Sequence, residues 1–450
     1  MSQKGFHILF LTGLLIGFSN YSCCSNKEPS GSGASTSIHR DTAGINRENK
    51  SVAAWIPLAP DSAIELSRAI LKRSGEGTCQ KGRADAFLNI GTAFLAKNHM
   101  DSARRNFGQA ADLYHALGRE NDEGKALFGM GKTYRHNSDF DNAILYYQQS
   151  KTLFENTNDP NNLYDCIREL IWCCKLGNRH HERYQFLEEL ITVASKSGNK
   201  SNISNSIINK GNYHLDQGEL DEALEAFFSA LRIAEEILDT TEIGNAYNGI
   251  GTGYYYLREH EKAIEYYHKW EQILQRRKEY DKLLSARRNI SLAYNALNMP
   301  DSALIYQFKI HDYLKVHDHK YSLAKNLHDI GLTYHLKDND QTLALDYIQE
   351  AIQLNREIGN TTGLTDNYYA IGKIHLFRKE YSNALIALHK SLQFAKETDD
   401  IHRIWYASAE LSNTYTELND YEKAFHYHKK SDSVNDNILN KSNLKKITQL

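Results

Sequence analysis

Ile250-Gly251-Thr252-Gly253-Tyr254 decides the reading of this chain, because its spacing returns as Ile330-Gly331-Leu332-Thr333-Tyr334. Steps of 40 residues from Gly251 meet Gly91, Gly131, Gly211 and Gly331, and Gly372 follows after one inserted residue. Ile171, Ser291 and Ser412 stand in the glycine's place in the other units. Twelve residues past this anchor an alanine recurs, at 103, 143, 223, 263 and 303, then at 344, 384 and 424. An aromatic is common three residues past the anchor (Phe94, Tyr134, Tyr254, Tyr294, Tyr334, Tyr415), and another sixteen past it (Phe107, Tyr147, Phe227, Tyr267). A fixed period of this length marks an array of repeats, each stacked on its neighbours.

Each unit reads as two helices. The glycine permits close approach of a neighbouring helix, the alanine marks the crossing, and the aromatics fill the wedge between them. Asp101, Asp141, Asp221, Glu261, Asp301 and Glu422 open the second helices, where a carboxylate meets free N–H groups and complements the helix dipole. Ser197-Gly198-Asn199 and Ile358-Gly359-Asn360 suit left-handed turns between units.

The pattern resembles the tetratricopeptide repeat family, with its Leu-Gly-x-x-Tyr … Ala-x-x-x-Phe … Ala signature, over residues 55–434. The resemblance implies an all-α, right-handed α-α superhelical solenoid of about nine helix pairs. Residues 60–74 are expected to form an unpaired capping helix at its N-terminal end, and 435–450 a C-terminal helical tail. The period is 40 and not the family's 34, as in the extended repeats of bacterial quorum-peptide receptors. The family's closing proline is missing, which leaves the turns to Gly and Asn. In the unit from Asp165 to Leu190, Ile171 and Arg183 replace the glycine and alanine, so the array is expected to bend or loosen there.

Ahead of the array, Lys4 and the apolar run Ile8–Phe18 read as a secretory signal over residues 1–24. The segment ends in Asn20-Tyr21-Ser22-Cys23-Cys24, which resembles a bacterial lipobox. That resemblance implies a lipid on Cys23, with Cys24 as the alternative acceptor, and a chain exported and anchored to a membrane, facing the periplasm. Release as a soluble periplasmic protein and retention as an uncleaved anchor are the other outcomes of such a signal. The polar run at 25–54 reads as a flexible linker.

Composition narrows the function. The formal net charge is -3 with 24% charged residues, so no basic footprint for nucleic acid is present. Only 5 prolines against 28 tyrosines favour long helices packed by rings. Cys79, Cys166, Cys173 and Cys174 have no metal-site spacing and read as small core residues. Gly118–Lys125 lacks the spacing and the Ser/Thr of a phosphate loop. The pairs His180-His181, His317/His319 and His426/His428 have no companion ligands in register. No catalytic motif, metal site or cofactor site is expected.

The first helix of each pair is expected to line the concave side. Positions six and three before the anchor, and one and four after it, share one face. They give Asp165, Arg168, Trp172 and Lys175, then Asn205, Ile208, Asn212 and Leu215, then Asn245, Asn248, Thr252 and Tyr255, then Ser285, Arg288, Leu292 and Asn295. A carboxamide donates and accepts at once, so inward Asn rows suit an extended peptide backbone; the alternative is ordinary solvated helix positions in an Asn-rich chain. Arg168, Trp172, Asn205, Asn212, Asn245, Asn248, Tyr255 and Arg288 are therefore the candidate peptide-binding residues, with Trp172 and Tyr255 as aromatic anchors and the arginines for a carboxylate. The expected role is a membrane-tethered scaffold for a peptide or protein partner. The alternative is a sensory ectodomain acting through a partner kinase or regulator, since the array also resembles the exported repeat arrays of Bacteroidetes regulators.

Overall fold

The computed structural model describes residues 34–74, 79–337 and 341–447. Among them are twenty α-helices and no strand. We number them α1 (Ala34–Trp55), α2 (Pro60–Arg73), α3 (Gln80–Ala96), α4 (Met100–Ala116), α5 (Glu120–His136), α6 (Phe140–Asn156), α7 (Pro160–Leu176), α8 (His180–Ser197), α9 (Lys200–Gln217) and α10 (Leu220–Glu236). There follow α11 (Thr240–Tyr256), α12 (His260–Arg277), α13 (Tyr280–Ala296), α14 (Pro300–Val316), α15 (Lys320–Lys337), α16 (Gln341–Glu357), α17 (Thr361–Phe377), α18 (Tyr381–Glu397), α19 (Ile401–Glu417) and α20 (Tyr421–Ile447). The fold is an all-α, tetratricopeptide-like solenoid of antiparallel helix pairs. Residues 1–33, with the expected signal and Cys23, lie outside the described residues.

The chain divides into two compact units, Met1–Asn178 and Arg179–Leu450. The division falls inside the pair α7/α8, where Ile171 and Arg183 take the glycine and alanine positions. In the second unit Arg183 is 3% exposed, pairs with Asp216 at 2.8 Å and lies 5.1 Å from the Tyr213 ring centre. A long cation thus fills the space that an alanine leaves open in other pairs.

The N-terminal expectation needs correction. From Ala34 onward the stretch read as linker is helical, and α1 supplies the partner that the supposed lone capping helix α2 was thought to lack. Ile45 and Val52 of α1, with Ile56 just past its end, are buried in one cluster with Ala63, Ile64 and Ile70 of α2. Asn49 donates from Nδ2 to the Gly82 carbonyl at 2.9 Å, and Asn89 donates to the Asn49 carbonyl at 3.0 Å. Asn49 and Asn89 stand one period apart, so the repeat begins a unit earlier than its glycines show. At the other end α20 continues through 435–447 as one helix with the repeat's last second helix.

Packing follows the predicted register. Phe227 is fully buried, held between the anchor Gly211 of its own pair and Gly249 of the next. A Cβ at Gly211 would lie 2.7 Å from the ring, and one at Gly249 only 2.5 Å. A side chain at either site would have to displace the ring, so glycine here buys contact between pairs. The register alanines at 63, 103, 143, 223, 263, 303, 344 and 384 are fully buried, as are Cys166, Cys173 and Cys174; Cys79 is nearly so.

One turn closes almost every helix. Asn98, Ser138, Asn158, Asn178, Leu238, Arg258, Lys278, Asn298 and Asp318 have positive φ, as do Gly118, Gly198 and Gly218 between them, one every 20 residues. At most helix ends the N–H three residues past the last helical residue reaches back to a carbonyl of the last turn, for example Glu259 to Tyr254 at 2.9 Å and Asp239 to Ala234 at 2.9 Å. Gly and Asn make many of these turns as expected, but Leu, Arg and Lys also occur. The left-handed conformation costs a non-glycine residue roughly 1–2 kcal/mol. Leu238 is 81% exposed and has little contact to lose. Leu238→Gly is therefore expected to raise stability by about 0.5–1 kcal/mol after glycine's own entropic penalty. A urea midpoint that falls on this substitution would refute the account.

The capping expectation is half met. Asp101, Asp141, Asp221, Glu261, Asp301 and Glu422 lie in the first turns, placed to oppose the dipole. Side-chain caps come from other residues, mostly at first helices: Asp159 accepts from Asn162 N–H, Asp239 from Thr241 and Glu242, and Asp400 from Arg403. Burial alone would raise the Asp239 and Asp400 carboxyls, but the Ser201 hydroxyl together with the cap bonds on Asp239, and the Arg403 bonds on Asp400, hold both below the usual carboxylate range.

Candidate functional site

Within each unit the backbones of several consecutive first helices approach closely, while second helices stand further apart and meet through rings such as Phe228–Tyr266 and His268–Tyr306. The first-helix face is therefore the tighter side, and polar side chains join neighbours along it. Asn205 on α9 donates to both oxygens of Glu242 on α11, at 3.2 and 3.1 Å. Asn245 also donates to Glu242, at 3.4 Å. Asn248 accepts from Asn289 on α13 at 3.3 Å, and Arg288 donates through Nε to Asp329 on α15 at 2.8 Å. Asn212, half-buried, makes no side-chain hydrogen bond among the described residues. The Tyr255 ring leans tilted against His260 with ring centres 5.2 Å apart. Ile208, expected on the same face, is buried in the core.

Arg168 and Trp172 belong to the first unit and the other six candidates to the second. Arg168 pairs with Asp165 at 3.2 Å. Trp172 is 41% exposed, with the Arg135 guanidinium 4.8 Å from its ring centre and Phe140 edge-on at 6.0 Å. The inward residues are thus half-committed: of the four carboxamides expected to await a ligand, Asn205 and Asn248 already tie first helices together, Asn245 bonds within its own helix, and Asn212 makes no side-chain hydrogen bond among the described residues.

Two hollows of the second unit begin at Arg288 and extend into the next repeat. A hollow of about 300 Å³ opens between α13, α14 and α15. Leu284, Ile310 and Leu314 line it, with Arg288, Lys325 and Asn326 among its polar residues. A second hollow of about 260 Å³ shares Arg288, Tyr321, Lys325 and Asp329 with the first and continues to Asn367 and Arg403. In it Arg403 binds Asp366 through two nitrogens, at 2.7 and 2.9 Å, and also pairs with Asp400. These partners raise the Arg403 pKa further above its already basic value. Burial pushes the His328 imidazole down, against the opposing pull of Asp329 and Asp366. With the Asn367 carboxamide oriented as its surroundings require, it donates to His328 Nδ1 at 2.9 Å.

Sequence reasoning named Arg288 and Ser285 but missed the rest. The signal was present, because the same face carried one repeat further selects Lys325 and His328, six and three residues before Gly331. No group of three His, Cys, Asp or Glu side chains fit for a metal occurs among the described residues, and no helix there is long and apolar enough to cross a membrane. Gly118 is a left-handed turn between α4 and α5.

An array of paired helices whose first helices form a polar inner face belongs to the class of tetratricopeptide-like solenoids. Family models of the tetratricopeptide repeat match residues 126–160 and 204–240. A model of anaphase-promoting complex subunit 5 matches 278–371 and 368–435. No curated protein matches the chain in sequence. Among solved structures, the apo quorum sensor NprR of B. thuringiensis is 14% identical, with a TM-score of 0.56 over 79% of this chain and 99% of its own. A signal transduction ATPase with a tetratricopeptide repeat sensor, from Pyrococcus horikoshii, is 15% identical, with a TM-score of 0.51 over 76% of this chain and 54% of its own. A Rap protein complexed with competence and sporulation factor is 13% identical, with a TM-score of 0.50 over 89% and 99%. At these identities the likeness is one of fold.

Proposed function

We propose that the chain is a membrane-tethered scaffold that binds a peptide or protein segment along the first-helix face of its second unit. The observation that carries this reading is the half-buried polar row from Asn205 to Arg288, which leads into the hollows beside α15. The Asn212 amide and the terminal nitrogens of Arg288 can pair with a backbone, while the aliphatic floor takes side chains. The tether rests on the lipobox-like Ser22-Cys23-Cys24. No catalytic step, cofactor or nucleic acid enters this reading. A second reading, a sensory ectodomain working through a partner kinase or regulator, draws support from the quorum sensor and the repeat sensor that share the fold.

The test is capture of a partner from solubilised envelope with the chain from residue 34 onward, because α1 is part of the folded array. Asn212→Ala with Asn248→Ala should weaken that capture. Each lost hydrogen bond contributes roughly 0.5–1.5 kcal/mol, so affinity should fall by about one to two orders of magnitude. Unchanged binding by a folded double variant would move the site off this face.

A further inference from the structure

The last pairs of the second unit depart from the repeat in a way that leaves two cations face to face on the second helices. One pair earlier, Arg356 on α16 and Lys390 on α18 converge on Tyr368 of α17. Arg356 donates through Nη2 to the Tyr368 hydroxyl at 2.6 Å, and the Lys390 ammonium lies 5.1 Å from the ring centre. The phenol gives each cation a partner. Forty residues on, Lys396 and Lys430 take the places of Arg356 and Lys390, but Ser408 takes that of Tyr368. Ser408 is fully buried, and its side chain is too short to serve as the ring does. The Lys396 ammonium, on α18, therefore stands against that of Lys430, on α20. Neither lysine makes an ion pair among the described residues.

The charged groups around them are engaged elsewhere. On α18, Glu397 accepts from Gln393 at 3.0 Å, and His389 meets the Tyr415 hydroxyl at 3.1 Å, with its own pKa lowered by burial and by Lys396. On α20, Asp432 lies 3.4 Å from His428. On α19, Arg403 is held by Asp366 and Asp400, and Glu410 takes Lys373. Two unshielded ammonium groups favour the loss of one proton. Lys430, the half-buried member, gives it up: burial and the Lys396 charge bring its pKa down to about 8. At about pH 7.5 roughly a quarter of such amines are neutral, against about one in a thousand for an ordinary lysine.

We propose that Lys430 is a modification site for carbon dioxide, which its amine takes up as a carbamate held by the Lys396 ammonium. The nitrogen lone pair forms the new N–C bond, one C=O π pair moves onto oxygen, and the nitrogen releases a proton to water. The products are R–NH–COO⁻ and H⁺, and no other co-reactant enters. Two repelling cations become an ammonium–carbamate pair, with charge-assisted hydrogen bonds between α18 and α20. Lys390 is the built-in control. It lies over a π face that favours its charged form, so it keeps its proton and does not react.

The experiment equilibrates the full chain with carbon-13 dioxide at about pH 7.5 and follows the carbamate carbon by NMR. In parallel, the adduct is trapped with a trialkyloxonium salt and located by mass spectrometry. Lys430 should carry at least about tenfold more trapped adduct than Lys390, because far more of its amine is neutral. Lys430→Arg should remove the resonance, since a guanidinium keeps its proton. Lys396→Gln should lower the Lys430 adduct at least about fivefold at the same dissolved carbon dioxide. That change both returns the amine toward its ordinary pKa and removes the counter-ion. Lowering the pH by about one unit at constant dissolved carbon dioxide should cut the adduct by more than about tenfold, because protons compete at both steps. An adduct spread evenly over the lysines, an adduct on Lys430 that Lys396→Gln leaves unchanged, or no labelled carbamate at all would overturn the proposal.

Discussion

Phe227→Ala is expected to lower stability by about 3–5 kcal/mol, the usual cost of emptying a buried aromatic site that cannot collapse. Collapse is blocked here because both walls of the site are glycine backbone, Gly211 on α9 and Gly249 on α11. No side chain stands there to swing into the void. The neighbour Phe228→Ala should cost far less, since its ring is 37% exposed. Gly249→Val attacks the same contact from the other side and should cost about 1–3 kcal/mol through overpacking. Each pair touches only its neighbours, so the damage should stay local. Hydrogen exchange should quicken first in α9 to α12, and the urea midpoint should fall. A loss for Phe227→Ala no greater than the ~1 kcal/mol typical of single substitutions would mean that the glycine clamp is not the joint between pairs.

The second large effect concerns location. If Cys23 carries the lipid, Cys23→Ala should move the protein from the membrane fraction to the soluble fraction almost completely. Buried acyl chains contribute about 0.8 kcal/mol per methylene, and two chains together make the stable anchor that one chain does not. With the acceptor gone, the 24% charged array offers no comparable hold on a bilayer. Cys24→Ala serves as the matched control and should stay bound. Retention of Cys23→Ala alongside loss of Cys24→Ala would move the acylation site by one residue. Retention of both would point to an uncleaved signal helix.

The repeat was legible because its determinants are local and uncompromising: a glycine where a ring must touch backbone, an alanine where two helices cross. The first pair was not, because Ser51 stands at the anchor and the preceding run is polar, so composition argued for a tether. Ser291 and Ser412 show that serine serves at the same place elsewhere, and the buried Asn49–Asn89 contact one period apart is what ties α1 down. The site was legible only as a face. Which Asn side chains bind a neighbouring helix depends on partners 37 or 41 residues away, such as Glu242 for Asn205 and Asn289 for Asn248. No single-helix pattern reports those pairings. The hollow beside Asn326 depends on side chains from three helices, of which the face pattern marks only Ser285, Arg288 and, one repeat on, Lys325.

The left-handed turn at every twentieth residue also governs how such a chain can change length. Excision of residues 240–279 would join Asp239 to Tyr280. The Leu238 turn and the Asp239 cap would then lead into α13 as they now lead into α11. The backbone would accept the splice without a frame error. The core would not be indifferent, since Phe227 would meet Asn289 where Gly249 now stands. Duplication and loss of whole pairs are thus open to the backbone at any turn, while the ring-and-glycine joints restrict which pairs can become neighbours.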